Sequence, residues 1–231
     1  MERVEVSLEG RDSIVIQTGN YAKFADASVV VTQGGTSVLV TICQGDKPIE
    51  GVDFLPLSVD YREQSSAWGK IPGGFIKREG KPTDREILVS RVIDRSIRPL
   101  FPEGYPYEVV VTALTLSADE KYDPDVLAII GASSALALSS VPFETPIAGV
   151  RVALVDNHFI LYPTYEERQR AQLELIVAVS KDSLIMVEGG AKEVPEETLL
   201  NALYFTLEKG YPLIYAQKEL AEKGHRKKIP F

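Results

Sequence analysis

The residues of this sequence best suited to chemistry are the arginines and lysines between positions 62 and 98. This segment carries nine basic and five acidic side chains, whereas the 231-residue chain has a net charge of −8. A basic segment in an acidic protein indicates a single place at which an anion binds. The overall acidity argues against nucleic-acid binding by the whole surface.

One side of a predicted helix carries three arginines, Arg91, Arg95 and Arg98. At 100° per residue they lie within about 60° of one another, opposite the apolar side of the helix. Guanidinium groups form paired hydrogen bonds with phosphate oxygens, so this stripe could follow a polyphosphate backbone. A solvated stripe that pairs with Asp94 is the structural alternative.

Residues 63–81 are predicted to form a long loop that is rich in glycine, serine and charged residues. Phe75 lies beside Lys77 and Arg78 in this loop. An aromatic ring next to two cations can stack on a base and pair with phosphates without reading sequence. A hydrophobic anchor flanked by solubilising charges is an equally good interpretation.

Other common kinds of site lack suitable residues. The two histidines lie in a predicted hairpin (His158) and a predicted basic tail (His225), and no residues have zinc-site spacing. Glycine pairs at 34–35, 73–74 and 189–190 match no dinucleotide motif and are predicted to form turns. Cys43 lies in an apolar run and is predicted to be buried. No secretion signal or membrane-length apolar run is found, which favours a soluble, cytoplasmic protein.

The elements that position these residues mix hairpins with helices. Thr83-Asp-Arg-Glu86 matches a capping box, which predicts a helix from Thr83 to about Arg98. Strands are predicted at 13–17, 27–32, 37–42, 53–61, 107–117, 147–155, 159–162, 173–179 and 183–187. Further helices are predicted at 124–139, 195–209 and 213–223. This mixture predicts an α+β fold in which helices cover a mixed sheet.

Two motifs in the basic segment, Lys70-Ile-Pro-Gly-Gly-Phe-Ile-Lys-Arg-Glu-Gly-Lys-Pro82 and Ser90-Arg-Val-Ile-Asp-Arg-Ser-Ile-Arg-Pro-Leu-Phe-Pro102, are recognisable. They resemble the first RNase PH-like domain of the polynucleotide phosphorylase family. The resemblance continues through 123–125, 146–151 and 186–188, and so covers essentially the whole chain. It implies an RNase PH-like (ribosomal protein S5 domain 2-like) fold, with residues 1–212 as the first core domain and 213–231 as the start of a helical linker.

The resemblance also implies an activity. Members of the family are phosphate-dependent 3′-to-5′ exoribonucleases that convert RNA and phosphate to nucleoside diphosphates. They carry two RNase PH-like domains and further RNA-binding domains, and they form a homotrimeric ring around a channel. The implied partners are single-stranded RNA and two further copies of the protein, with no membrane. Mg²⁺ and inorganic phosphate are expected for the full-length enzyme, and no cofactor is expected on this chain.

The resemblance assigns roles to particular positions. The family's channel loop usually has two aromatics and two arginines, and the matching residues here are Phe75, Ile76, Lys77 and Arg78. Ile76 and Lys77 depart from that pattern, so stacking at position 76 is lost. Other arginines of the family line the RNA path, and the matching residues here are Arg91, Arg95, Arg98 and Arg151. We predict that these four position the phosphates of the substrate.

The same comparison argues against catalysis by this chain alone, and no catalytic or metal-ligating residue is predicted. Serines that cup phosphate in the family's active domain are replaced by Asp123, Pro124 and Asp125. Proline lacks an amide donor, and the carboxylates would repel phosphate. Of the active domain's metal-binding positions, only Glu174 is acidic here. For Asp119, Asp123 and Asp125, helix capping or a solvated turn is favoured over metal binding.

Three functions remain open at this point. The favoured one is a non-catalytic core domain that guides RNA to an active site on an absent second core domain. The alternative is a non-enzymatic RNA-binding ring subunit of an exosome-like assembly. A phosphorolytic exonuclease that acts by itself is the third, and the Asp-Pro-Asp replacement counts against it.

Overall fold

A computed structural model of the chain describes residues 1–143, 145–224 and 227–231. In these residues, ten strands form two sheets, and four α-helices accompany them. The α+β fold predicted from the sequence is confirmed, although two sheets take the place of the single mixed sheet. His225, which was assigned to a basic tail, lies outside the described residues.

The first sheet has six strands in the order β1-β2-β3-β4-β6-β5. Neighbouring strands are antiparallel except β5 and β6, which makes this sheet mixed. Gly34 and Gly35 form the predicted turn between β3 and β4, where Gly34 has a φ of 57°. The strands are Glu2–Leu8 (β1), Arg11–Thr18 (β2), Ala27–Gln33 (β3), Thr36–Pro48 (β4), Leu57–Arg62 (β5) and Tyr107–Ser117 (β6).

The second sheet has four antiparallel strands in the order β10-β9-β7-β8. The prediction of a turn at Gly189 and Gly190 is wrong, because both lie inside β10. A Cβ on Gly189 would lie 2.1 Å from the carbonyl oxygen of Glu174, so close strand packing requires this glycine. The strands are Ala148–Val155 (β7), His158–Leu161 (β8), Leu173–Val179 (β9) and Leu184–Ala191 (β10).

The helices are Asp84–Ile97 (α1), Pro124–Leu138 (α2), Tyr165–Arg170 (α3) and Glu196–Gly224 (α4). Every residue of α2 is buried, and the helix packs against β3 and β4 of one sheet and β7 of the other. A Cβ on Gly131 would lie 2.5 Å from Val40 Cγ2, so α2 lies directly on the first sheet. The central helix therefore links the two sheets in one core.

The helix at the end of the chain differs from its prediction. A single helix, α4, runs through Pro212, where two helices were expected. An internal proline costs about 3 kcal/mol in an isolated helix. Here one apolar face of the helix is buried on both sides of the proline, with Ala202 and Leu213 fully buried, which offsets that cost. The domain boundary at residues 212 and 213 falls inside α4 and stays a prediction.

The exposure of Cys43 also contradicts its prediction. Val38, Val40 and Ile42 point into the core, and alternation along β4 places Cys43 on the opposite side of the sheet. An apolar run does not by itself show which face of a strand each residue occupies.

Candidate nucleic-acid interface

The capping box holds the first turn of α1 in place. Thr83 Oγ1 accepts a hydrogen bond from the Glu86 amide at 3.2 Å, and Glu86 Oε2 accepts one from the Thr83 amide at 2.7 Å. Glu86 Oε1 also accepts from the Glu63 amide at 2.8 Å, which ties α1 to the end of β5. Burial alone would raise the pKa of Glu86, but these hydrogen bonds lower it. The capping box therefore sets the start of α1, the helix that carries the three arginines of the stripe.

The three arginines of the stripe line one cleft of about 660 Å³, and Glu188 of β10 faces them. Arg91 is exposed and forms no hydrogen bond or ion pair with any described residue. Arg95 donates from Nη2 to Glu188 Oε2 at 2.9 Å and to the Val187 carbonyl at 3.1 Å. Arg91 is therefore fully available to a phosphate, whereas Nη2 of Arg95 is available only after it leaves Glu188.

Arg98 uses all three guanidinium nitrogens inside the protein. Its Nε and Nη2 donate to the Asp94 carboxylate at 2.9 and 2.6 Å. Its Nη1 and Nη2 donate to the carbonyls of Leu55 and Leu57 at 3.0 and 3.1 Å. The Asp94 hydrogen bond raises the pKa of Arg98. The pairing with Asp94 that was the structural alternative for the whole stripe therefore holds for this arginine, which also fastens the end of α1 to the start of β5.

Residues 69–82 form an irregular loop, as predicted. The Ser65 amide donates to Glu79 Oε1 at 2.7 Å and pins the base of the loop. Phe75 at its tip is fully exposed, and Ile76 is largely exposed, so the hydrophobic-anchor interpretation of Phe75 is wrong. Lys77 and Arg78 are exposed and have no partner among the described residues. The tip is therefore free to contact another molecule.

Arg151 lies apart from the stripe. It is only 3% exposed on β7 and forms ion pairs with Asp125 and Glu174. It lines a second cavity of about 390 Å³ with Arg168 and Glu174. Glu188 lines both cavities.

Asp123 and Asp125 belong to a buried ion cluster and do not form the predicted helix cap or solvated turn. Asp123 occupies the N-cap position of α2 without a capping hydrogen bond from its side chain. Its carboxylate instead pairs with Arg85 and accepts from Arg168 Nη1 at 2.7 Å. Burial raises the pKa of Asp123, whereas Arg151 lowers that of Asp125 against the effect of burial.

The whole cluster joins α1, α2, α3, the second sheet and the segment that follows β5. Four carboxylates surround three guanidinium groups, so the cluster holds no excess positive charge for an added anion. Sequence reasoning did not place Arg85 and Arg168 here, because their partners are far away in the chain. The members are Glu63, Arg85, Asp123, Asp125, Arg151, Arg168 and Glu174.

Asp119 has a different role from its two neighbours. Its carboxylate accepts hydrogen bonds from the amides of Gly35, Lys121 and Tyr122 at 2.7, 3.0 and 2.9 Å. Thr36 Oγ1 donates to it at 3.0 Å. Asp119 thus fastens the β3–β4 turn to the segment that precedes α2.

The described residues do not fit a Mg²⁺ site. Glu174, the acidic residue at the expected position, is already paired with Arg151 and with Arg168 Nε at 2.7 Å. In the part of the chain that the structure describes, no three His, Cys, Asp or Glu side chains are grouped to hold a metal. No helix in that part is long and apolar enough to cross a membrane.

Comparisons with known proteins agree with the fold and with the resemblance seen in the sequence. The family profile "3′ exoribonuclease family, domain 1" matches residues 11–142, and "3′ exoribonuclease family, domain 2" matches residues 145–209. A polyribonucleotide nucleotidyltransferase of Hydrogenobaculum is 61% identical over 98% of this chain and 32% of its own length. The protein of that name from Aquifex aeolicus is 62% identical over 95% of this chain and 28% of its own length.

Two sheets around a buried helix, with an arginine-lined cleft beside them, define a domain of the RNase PH type. The chain belongs to the 3′ exoribonuclease family. It spans about a third of the length of the curated relatives it matches.

Proposed function

We propose that the chain is the first core domain of a phosphate-dependent 3′-to-5′ exoribonuclease, a polyribonucleotide nucleotidyltransferase. In this reaction an oxygen of inorganic phosphate attacks the phosphorus of the last phosphodiester. The bond from phosphorus to the 3′ oxygen breaks, releasing a nucleoside diphosphate and a shortened RNA with a 3′ hydroxyl. The name of the relatives and the arginine cleft support this assignment.

The closed ion cluster is the observation that carries the assignment of a guiding role. The carboxylates of Asp123 and Asp125 already occupy the space among the three guanidinium groups. A phosphate would have to displace buried, paired carboxylates, and removing one partner of such a pair costs about 3 to 5 kcal/mol. The phosphate that attacks RNA therefore binds elsewhere, on a second core domain outside this chain.

The residues of the interface then divide the work of holding RNA. Arg91 and Arg95 contact phosphates directly, because their guanidinium groups line an open cleft. Phe75 stacks on a base while Lys77 and Arg78 pair with phosphates, and Ile76 adds apolar contact without stacking. The two remaining arginines, Arg98 and Arg151, are paired within the protein and hold the walls of the path in position.

The complete protein extends beyond this domain. Residues 1–212 form the first core domain, and residues 213–231 begin the segment that leads to the second. Three copies assemble into a cytoplasmic ring through which single-stranded RNA passes. Mg²⁺ and inorganic phosphate act at the second core domain, since the residues that the structure describes do not fit the metal.

The test measures phosphate-dependent release of nucleoside diphosphates from single-stranded RNA with Mg²⁺. The 231-residue chain and the full-length protein are assayed side by side, each with and without phosphate. We expect release by the full-length protein only, and only with phosphate. A full-length variant with Asp123→Asn and Asp125→Asn, checked for folding by circular dichroism, reports whether the cluster is structural or part of the reaction.

Each other outcome contradicts a part of the proposal. Release by the 231-residue chain alone would mean that the Asp123 and Asp125 cluster does accept phosphate. If neither protein releases nucleoside diphosphates but RNA binding is retained, a non-enzymatic RNA-binding ring subunit would be favoured instead.

A further inference from the structure

Glu188 is one of two acidic residues that line the arginine cleft. It lies on β10, across from α1, and its carboxylate accepts a hydrogen bond from Arg95 Nη2 at 2.9 Å. The other carboxylate in the cleft, Asp94, is held by two hydrogen bonds from Arg98. Glu188 is therefore the acidic group that directly occupies an arginine which could otherwise bind phosphate.

The pair between Arg95 and Glu188 is easily broken. Both side chains are about half exposed, at 55% and 48%. Water and salt weaken such a pair, and its formation also restricts two long side chains. A phosphate has the same kind of acceptor oxygens as a carboxylate. A phosphate and the Glu188 carboxylate therefore compete for Nη2 of Arg95.

The second cavity, which Glu188 also lines, contains a lysine. Lys192 and Glu188 line the second cavity together. The Lys192 side chain forms no ion pair or hydrogen bond with any described residue. Lys192 therefore adds positive charge to a cavity that Glu188 also lines.

We propose that Glu188 is an electrostatic latch that occupies Arg95 until a phosphate of single-stranded RNA displaces it. The latch lowers the affinity of the cleft, so that a strand is held loosely enough to move along it. Arg91, which is unpaired, makes the first contact, and Arg95 follows when it leaves Glu188. This inference rests on the proposed role of the cleft in RNA binding.

The test is the RNA affinity of Glu188→Gln in the 231-residue chain, measured by fluorescence anisotropy with a labelled oligo(A). The glutamine oxygen can still accept from Arg95, so the geometry is kept while the charge is removed. We expect binding about threefold to tenfold tighter at low salt. The slope of log K against log salt should steepen by about 0.7, the value for one more phosphate contact on a single strand.

A matched control separates the latch from a general charge effect. Asp182→Asn makes the same change in net charge at the exposed turn of the same hairpin, outside both cavities. We expect no change in RNA affinity from this variant. In an Arg95→Gln background, Glu188→Gln should also have no effect, because the competed guanidinium is gone.

The outcomes distinguish the latch from the proposed function. Equal tightening by Asp182→Asn, or tightening that persists in the Arg95→Gln background, would overturn the latch. So would unchanged or weaker binding by Glu188→Gln, if Arg95→Gln weakens binding as an RNA contact should. If Arg91→Gln and Arg95→Gln both leave RNA affinity unchanged, the RNA role of the cleft itself is wrong.

Discussion

Arg98 directs its guanidinium nitrogens to Asp94 and to the carbonyls of Leu55 and Leu57, whereas Arg91 has no partner among the described residues. The two side chains differ in what they lose when the charge is removed. Arg91 can lose only a contact with a ligand. Arg98 loses the hydrogen bonds to the Leu55 and Leu57 carbonyls that hold the end of α1 at the start of β5.

We therefore expect Arg91→Gln to change mainly RNA affinity and Arg98→Gln to change mainly the stability of the fold. Arg91→Gln should weaken RNA binding about fivefold at low salt and reduce the salt slope by about 0.7, with an unchanged midpoint of urea unfolding. Arg98→Gln should lower the free energy of unfolding by about 1 to 2 kcal/mol, because charged hydrogen bonds to the backbone are lost. Anisotropy and urea titrations on both variants measure the two quantities.

The conservative Lys variants provide the control. Arg91→Lys keeps the charge and should recover most of the RNA affinity, whereas Arg98→Lys cannot reproduce four directed hydrogen bonds and should stay destabilised. A loss of stability in Arg91→Gln equal to that in Arg98→Gln would contradict this division of roles.

At the scale of elements, Asp119 joins the β3–β4 turn to the segment before α2. Burial would raise its pKa, but hydrogen bonds from the Tyr122, Gly35 and Lys121 amides lower it below its ordinary value. A carboxylate whose pKa is lower in the folded state stabilises the fold above its unfolded pKa. That stability is lost as the pH falls through the folded pKa.

We expect Asp119→Asn to unfold at a lower urea concentration at pH 7, with a loss of about 1 to 3 kcal/mol. Between pH 5 and pH 3 the wild type should lose stability more steeply than the variant, because the variant has one titrating group fewer. Urea unfolding at several pH values checks this. Asp46→Asn, at an exposed position in β4, should leave the pH profile close to that of the wild type. Parallel profiles for wild type and Asp119→Asn would contradict the linkage.

The elements that sequence reasoning placed correctly are those with a local cause. The capping box marked the start of α1, and the glycine pair marked the β3–β4 turn. The continuity of α4 through Pro212 was missed, because burial of Leu213 against distant strands outweighs the local effect of proline. Tertiary packing overrides a local preference in this case.

The site was predictable to a lesser extent for the same reason. The arginine stripe follows from spacing along one helix. The burial of Arg151 follows from Asp125 and Glu174, which lie on other elements, so spacing could not reveal it. Glu188 was visible only as part of a recognised motif, and its pairing with Arg95 needs the contact between α1 and β10.

At the scale of the whole molecule, the loop tip is an isolated feature of this chain. Phe75 is fully exposed and packs on nothing, although large aromatic side chains are usually at least partly buried in folded proteins. Under the proposed function, this ring would contact another molecule. In the proposed ring, RNA and the loops of two further copies are the candidates.

We expect Phe75→Ala to leave the thermal midpoint of the 231-residue chain unchanged, because the ring has no packing to lose. Stacking of one base on an aromatic ring is worth about 1 to 3 kcal/mol, so RNA affinity should fall measurably. If the full-length protein forms the proposed trimer, the fall should be greater there, because three loops would then hold one strand and each loss would reduce the effective concentration at the others. Ile76→Phe, which restores the second aromatic of the motif, should tighten binding in the same assay.

Two results would contradict this prediction. If Phe75→Ala lowers the thermal midpoint, the ring packs within the chain. If RNA affinity is unchanged in the full-length protein, the loop does not hold the strand.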